Sequence, residues 1–452
     1  MAFADVLLHE TDADILLVDE HHKPGGHWND AYPFVTLHQP SAFYGVSSKE
    51  LSRGALDQVG LNQGLGDLAS GAEVSAYFDQ VMNQTFLPSG RVRFYSMCRY
   101  EGEGRFRSIV SGQAFQVTAR RKVVDATFLK TTVPSTHTPS FSVDPEAWFM
   151  PLNDLPRMGR TPAGYVIVGA GKTGIDACLW LLQQGADPDT ITWIMPRDAW
   201  LLDRRNTQPT EPFFNDAVGT QAAQFEAIVN STSIPDMFDR LEAAGYFLRI
   251  DPKVRPSMFH GATTSALELE QMRRIKTIVR MGRVTAIEKH RIVLEQGEIP
   301  TSPDHLHVDC SARAITNERI VPIFQGNLIT PQMVRSYQPV FSAAFIAHIE
   351  AAYDDEAEKN RLCGVVPLPN HDTDYLRFTA AFMMNQYNWS QVPELQQWLL
   401  NNRLDGFSTM IDGVDPDDAE KMAILKRIST TAPAAVGKLF DYIQQLDAEQ
   451  TA

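Results

Sequence analysis

The chain has 452 residues, 44% hydrophobic and 21% charged, long enough for two or three domains and too ordinary in composition for a disordered, fibrous or coiled-coil protein. Forty Lys and Arg against fifty-five Asp and Glu leave a formal net charge of −15, a field that repels phosphate backbones and anionic lipid, so no nucleic acid partner is expected. No apolar stretch approaches the roughly 20 residues of a membrane helix, and no basic region with a cleavage site opens the chain; no membrane association is expected, and the expected compartment is cytoplasmic.

In chain order, Phe3, Val6 and Leu7 share a helical face, and Ile15 to Val18 read as a strand ending in Asp19. A βαβ unit carries a strand and glycine loop before such a helix, so the chain is expected to begin inside a dinucleotide-binding fold that lacks its initial strand. Asp19 then stands where an acid holds an adenosine ribose. Pro24-Gly25-Gly26-His27-Trp28 follows, glycines that let a backbone pass close to a cofactor beside an aromatic that can cover a flat ring. The loop from Tyr32 to Gly45 adds aromatic and polar groups, with His38 and Gln39 among them. A helix is expected over Glu73–Met82 and strands over Arg91–Tyr95 and Lys122–Thr127.

The periodicity changes sharply over residues 161 to 197. Tyr165 to Val168 is a short continuous apolar run, as in a strand buried on both faces. Ile175, Cys178, Leu179 and Leu182 recur at helical spacing, Gly185 stops the helix, and Ile191 to Met195 form a second strand. Between strand and helix lies Gly169-Ala170-Gly171-Lys172-Thr173-Gly174. In this context Gly169 permits a tight turn, Gly171 lets the backbone approach a pyrophosphate, and Gly174 allows close packing, while the helix N-terminus offers free N–H groups to the anion. A nucleoside-triphosphate P-loop needs glycine where Val166 stands, so that reading fails. Arg197 follows the second strand, where a guanidinium selects a 2′-phosphate and hence NADPH over NADH; Arg204 and Arg205 are candidate helpers.

Residues 211–280 read as mostly amphipathic helix interrupted at Pro235, Pro252 and Pro256, an insertion or cap. A strand is expected over His305–Cys310, a helix over about Pro339–Tyr353, and helices from 373 onward with breaks at Pro393 and Pro416. The four cysteines are far apart, which removes a redox pair and a thiolate zinc site. No metal site is expected from the histidines either.

Asp19 six residues before Gly25-Gly26-His27-Trp28, Val124-Asp125-Ala126-Thr127, the glycine motif, and the run from Met195 to Arg204 resemble the flavoproteins with two dinucleotide-binding domains. They are most similar to the class B flavin monooxygenases and cover roughly residues 1 to 350. The resemblance implies that Asp19, Gly25, Gly26 and Trp28 contact FAD, that Asp125, Ala126 and Thr127 form the crossing between domains, and that Gly169, Gly171, Lys172, Thr173, Gly174 and Arg197 bind NADPH. It also implies that the helix after Gln338 points its N-terminus at the flavin. The fingerprint FxGxxxHxxxW is absent from residues 137 to 160, so Baeyer-Villiger activity is not implied.

The expected fold is α/β: two Rossmann-like dinucleotide-binding domains, the first without its initial strand, a helical insertion and a helical C-terminal region. The expected boundaries are 1–155 for the FAD domain, 156–300 for the NADPH domain with its insertion at 211–280, 301–355 for the return to the FAD domain, and 356–452 for the C-terminal helices. The implied activity is that of an FAD- and NADPH-dependent monooxygenase hydroxylating a small organic substrate with molecular oxygen through a flavin peroxide. An NADPH-flavin oxidoreductase or oxidase without oxygenation, and a non-enzymatic dinucleotide-binding protein with a degenerate FAD site, are the alternatives. The isoalloxazine does the redox chemistry in such proteins, leaving His27, His38 and Gln39 as the candidates for catalysis.

Overall fold

The structure is a computed structural model that describes residues 1–129, 131–313 and 319–451. Helix α1 (Ala2–Glu10) buries Phe3, Ala4, Val6 and Leu8, and β1 (Ile15–Val18) follows. Helix α2 (Gly71–Val81) opens on a capping box: the Ser70 hydroxyl accepts from the Glu73 N–H while the Glu73 carboxylate accepts from the Ser70 N–H. It leads to β2 (Val92–Tyr95), which pairs in parallel with β1, Ile15 opposite Val92 and Val18 opposite Tyr95. After a three-stranded antiparallel excursion over Cys98–Gly102, Arg105–Ser108 and Ala114–Gln116, the expected strand over 122–127 is only β3 (Val123–Val124). It ends there because Asp125 Oδ1 accepts both the N–H and the hydroxyl of Thr127, at 2.9 and 2.7 Å, and turns the chain.

The central sheet has five parallel strands. These are β4 (Phe149–Pro151), β5 (Gly164–Val168), β6 (Ile191–Ile194), β9 (Thr277–Val279) and β10 (His305–Asp309), ordered β4-β10-β5-β6-β9. The sheet draws residues from both sides of the expected boundaries at 155 and 300. Strand β5 is in the middle, with Val166, Ile167 and Val168 all buried, as its continuous apolar run requires. Helix α3 (Lys172–Gln183) joins β5 to β6 and buries Ile175, Cys178, Leu179 and Leu182; Gly185 ends the turn beyond it at φ +87°. This is the expected βαβ unit.

The segment 211–280 departs from expectation. It contains α4 (Thr220–Val229), α5 (Ile234–Ala243) and α6 (Ala266–Met272), with Pro235 in the first turn of α5 instead of interrupting it. It also supplies β8 (Met258–Thr264), parallel to β7 (Ala199–Asp203), and β9 of the central sheet. The segment is therefore part of the α/β unit, not a helical cap: Gly261, Thr263 and Thr264 are poor helix formers, and the strand that pairs with their backbone lies about sixty residues upstream.

The chain then pairs β11 (Leu328–Ile329) with β3 in parallel, returning to the first unit. Helix α7 (Pro339–Ala352) packs on α1, and Phe341, Phe345, Ile346 and Ile349 are all fully buried, which explains its near-continuous apolar run. Then come α8 (Glu356–Leu362), α9 (Asp374–Ser390), α10 (Pro393–Asn401), α11 (Ser408–Asp412) and α12 (Ala419–Thr451). The four cysteines are buried free thiols. No helix of the described residues is long and apolar enough to cross a membrane.

Candidate dinucleotide site

The glycine motif sits at the carboxyl end of β5, where ligands collect in open parallel sheets. Its three glycines differ in what requires them. Gly169 has φ +135°, and a Cβ there would lie 2.3 Å from the Cys310 carbonyl oxygen. A Cβ on Gly174 would lie 2.2 Å from the Gly169 carbonyl oxygen. Both positions are closed by the protein itself. Gly171 has φ −80° and ψ −176°, ordinary extended backbone, and a Cβ there would meet nothing within 4 Å. The first turn of α3 has no side-chain cap, and Trp193 Nε1 pins the loop by donating to the Gly169 carbonyl at 2.7 Å. An open backbone at an uncapped helix N-terminus is an anion cradle.

The N-terminal loop closes on this turn. Lys172 is ion-paired with Asp176 one helical turn on, and Asp176 Oδ2 accepts from the Tyr32 hydroxyl at 2.5 Å. Phe34 stacks on Trp180 of α3 at 5.0 Å. Burial, with the charges of Lys172 and Arg204, holds the His38 pKa down at about 3; its Nδ1 accepts from the Thr263 N–H at 3.4 Å. Thr173 and Gln39 are half-buried.

Arg197 lies beyond β6 as expected, half-buried, with its guanidinium against Asn370 and His371 from the segment before α9. Burial and the charges of Arg283 and Arg313 pull its pKa below the usual arginine value. Arg204 and Arg205 do not join it. Arg204 is fully buried, donating to Glu268 at 2.7 Å, Asn62 at 3.1 Å and the His38 carbonyl at 3.0 Å, and Arg205 pairs with Asp216 at 2.8 Å.

In the first unit, Asp19 ends β1 but is already engaged: Oδ1 lies 2.7 Å from His21 Nδ1, and His21 Nε2 lies 2.8 Å from Asp30 Oδ2. Burial alone would lower the His21 pKa, but the hydrogen bonds to Asp30 and Asp19 outweigh it and raise it. Gly25 and Gly26 have φ +125° and +55°, and Trp28 donates through Nε1 to the Tyr44 hydroxyl at 2.8 Å. Burial lowers the pKa of His27. Ala126 and Thr127 are exposed.

The sequence reading missed His21, Asp30, Tyr32 and Asp176, whose partnerships are tertiary. It also missed a repeat that was legible: Val124-Asp125-Ala126-Thr127 recurs as Val308-Asp309-Cys310-Ser311. Asp309 Oδ1 accepts from the Ser311 N–H and hydroxyl at 2.9 and 2.6 Å, as Asp125 does from Thr127. Each turn follows a parallel strand at the end of its unit. Among the described residues no three His, Cys, Asp or Glu are grouped to hold a metal ion.

The parallel sheet, its βαβ unit and the glycine turn define a mixed α/β protein of the doubly wound kind. Over all 452 residues the chain is 46% identical to the uncharacterized protein Rv2000 of Mycobacterium tuberculosis (strain ATCC 25618 / H37Rv) and to the uncharacterized protein Mb2023 of Mycobacterium bovis, covering 83% of each, and it belongs to their family. No protein-family model matches it. Among solved structures it is similar to OTEMO in complex with FAD and NADP (form 2), at 14% identity and TM-score 0.45 over 77% of this chain and 81% of that one. It is also similar to the open form of cyclohexanone monooxygenase, at 13% identity and TM-score 0.43 over 77% of this chain and 84% of that one.

Proposed function

We propose that this chain is an NADP(H)-dependent oxidoreductase of the flavoprotein class, acting on a small organic substrate with molecular oxygen as co-substrate. The observation that carries the NADP(H) part is Gly171: the fold closes the flanking glycine positions and leaves this one open, at an uncapped helix N-terminus. Gly169, Gly171 and Gly174, with the N–H groups of Lys172 and Thr173, would hold the pyrophosphate, and Arg197 the 2′-phosphate. When bound, the nicotinamide supplies a hydride.

The chain's own residues orient and dry the site. The Lys172–Asp176–Tyr32 chain and the Phe34–Trp180 stack hold the N-terminal loop against α3 and exclude water there. His38 stays neutral, and with Nδ1 accepting from Thr263 its proton sits on Nε2.

For a flavin, the first unit offers fewer positions. The hydrogen bonds of Asp19 to His21 use Oδ1, and nothing lies within 4 Å of a Cβ on Gly26, so these two positions fit a ribose and a close ring. The flavin rests on the resemblance of Asp19, the Gly25–Trp28 run and Asp125–Thr127.

The test is binding. Arg197→Ala is expected to weaken NADP+ by about tenfold or more while NAD+ affinity stays unchanged, as loss of one charge-assisted contact predicts; equal losses for both nucleotides refute the 2′-phosphate role. Visible absorbance of the purified protein, before and after incubation with FAD, decides the flavin: a protein that stays colourless removes it.

A further inference from the structure

The guanidinium of Arg197 is held by two neighbouring residues of the C-terminal region, chiefly Asn370. Asn370 accepts from Nη2 through its side-chain Oδ1 at 2.8 Å and from Nη1 through its carbonyl at 3.4 Å, with His371 Nδ1 3.3 Å from Nη1. These contacts occupy the end of the guanidinium. The Nε–H, on the side edge of the guanidinium, has no acceptor among the described residues. That edge is a two-pronged fork suited to a phosphate.

Asn370 is in turn fixed. Its N–H and that of His371 donate to Asp374 Oδ2 at 2.9 and 2.8 Å, at the start of α9. His260 Nε2 of β8 lies 3.1 Å from Asn370 Oδ1, and Asp372 donates to the Ser257 carbonyl at 3.2 Å, stitching the segment to the start of β8. On the other side, Asp198, next to Arg197, is buried and gripped by Arg280 through two hydrogen bonds of 2.7 and 2.9 Å. The residue after Arg197 is thus anchored separately from the tip of its side chain. Arg283 and Arg313 lie close enough for their charges to act on Arg197, against Asp372 and Asp374.

We infer that Asn370 is a positioning residue for nucleotide selection: it holds Arg197 end-on so that the open side of the guanidinium meets the 2′-phosphate of NADP(H), which makes the C-terminal helical region part of the specificity pocket. This rests on the NADP(H) reading above. Asn370 acts through acceptor oxygens alone, so the predicted effect falls on the phosphate and not on the rest of the nucleotide.

The experiment is calorimetric titration of NADP+ and NAD+ into the full chain and into Asn370→Ala, Asn370→Leu and Arg197→Ala, each checked for folding by thermal unfolding. Asn370→Ala is expected to weaken NADP+ about tenfold and NAD+ by less than about twofold. Asn370→Leu removes the Oδ1 acceptor at nearly the same side-chain volume and adds no charge, so it is expected to weaken NADP+ by as much, and it serves as the decisive variant if Asn370→Ala does not fold. Unchanged NADP+ affinity in a folded Asn370 variant, with a loss in Arg197→Ala, overturns the inference and leaves the NADP(H) reading standing. Equal losses for NADP+ and NAD+ in an Asn370 variant also overturn it. Failure of the wild-type chain to bind NADP+, or an Arg197→Ala variant that binds it normally, removes both.

Discussion

Replacing Gly171 with alanine separates the glycine demanded by a ligand from the glycines demanded by the fold. At φ −80° and ψ −176° any L-residue is unstrained, and the new methyl has nothing within 4 Å. The folded state loses nothing, while the unfolded chain loses conformational freedom, so stability is expected to rise by about 0.4–1 kcal/mol. Gly174→Ala is the opposite case: its methyl would lie 2.2 Å from a backbone carbonyl that Trp193 already pins. Relief requires moving α3 off the sheet, at a cost of about 1–3 kcal/mol. For binding, a methyl at 171 holds the pyrophosphate away from the N–H groups of the first turn. Each charge-assisted hydrogen bond lost is worth about 1.5–3 kcal/mol, so NADP+ affinity should fall by about tenfold or more. Urea unfolding and NADP+ titration on the two variants read both quantities. A Gly171→Ala protein that is as stable as expected and binds NADP+ like wild type would show that the open backbone is not a nucleotide cradle.

Three further outcomes are expected. Tyr32→Phe deletes the 2.5 Å hydrogen bond to Asp176 and should cost about 1–3 kcal/mol in denaturant unfolding; a change below about 0.5 kcal/mol would mean that the contact does not tie the loop to α3. His21, with its pKa raised between Asp19 and Asp30, contributes stability that is complete below the ordinary histidine value of about 6.5 and is lost as pH rises through the higher folded value. Wild type should therefore lose its advantage over His21→Gln as pH is raised from about 6 to about 9, by less than about 1 kcal/mol because the pair is partly solvated; a pH-independent difference contradicts the clamp. Asp405→Asn leaves Arg335, 8% exposed and otherwise paired with Asp405 at 2.5 Å, as an uncompensated buried charge, at about 3–5 kcal/mol. An Arg335→Met/Asp405→Asn double variant, which removes both charges and keeps an acceptor for the Phe407 and Ser408 N–H groups, should recover much of that loss, and failure to do so would mean that the pair supplies more than mutual neutralisation.

Much of the fold and part of the candidate site can be read from sequence because they are local. The switch from a continuous apolar run to helical spacing across Gly169–Gly174 marks β5 and α3 within twenty residues, and the position of Arg197 follows from counting to the end of β6. Sequence alone also determines that Gly169 and Gly174 belong to a tight strand-to-helix turn. It cannot tell them from Gly171, since the distinction is which atoms come within 4 Å, and those of Cys310 lie just past a strand that ends about 140 residues later.

The same distance hides β8. Gly261 and His260 break its apolar pattern, and only its pairing with β7 makes 258–264 a strand instead of helix. Three arginines near one strand look alike on paper; tertiary structure buries Arg204 against Glu268, spends Arg205 on Asp216, and gives Arg197 to Asn370. Periodicity and turn chemistry act between neighbours and are written into consecutive residues. Partner choice for a long charged side chain depends on which distant backbone arrives beside it, and that is decided only when the sheet and the C-terminal helices close together.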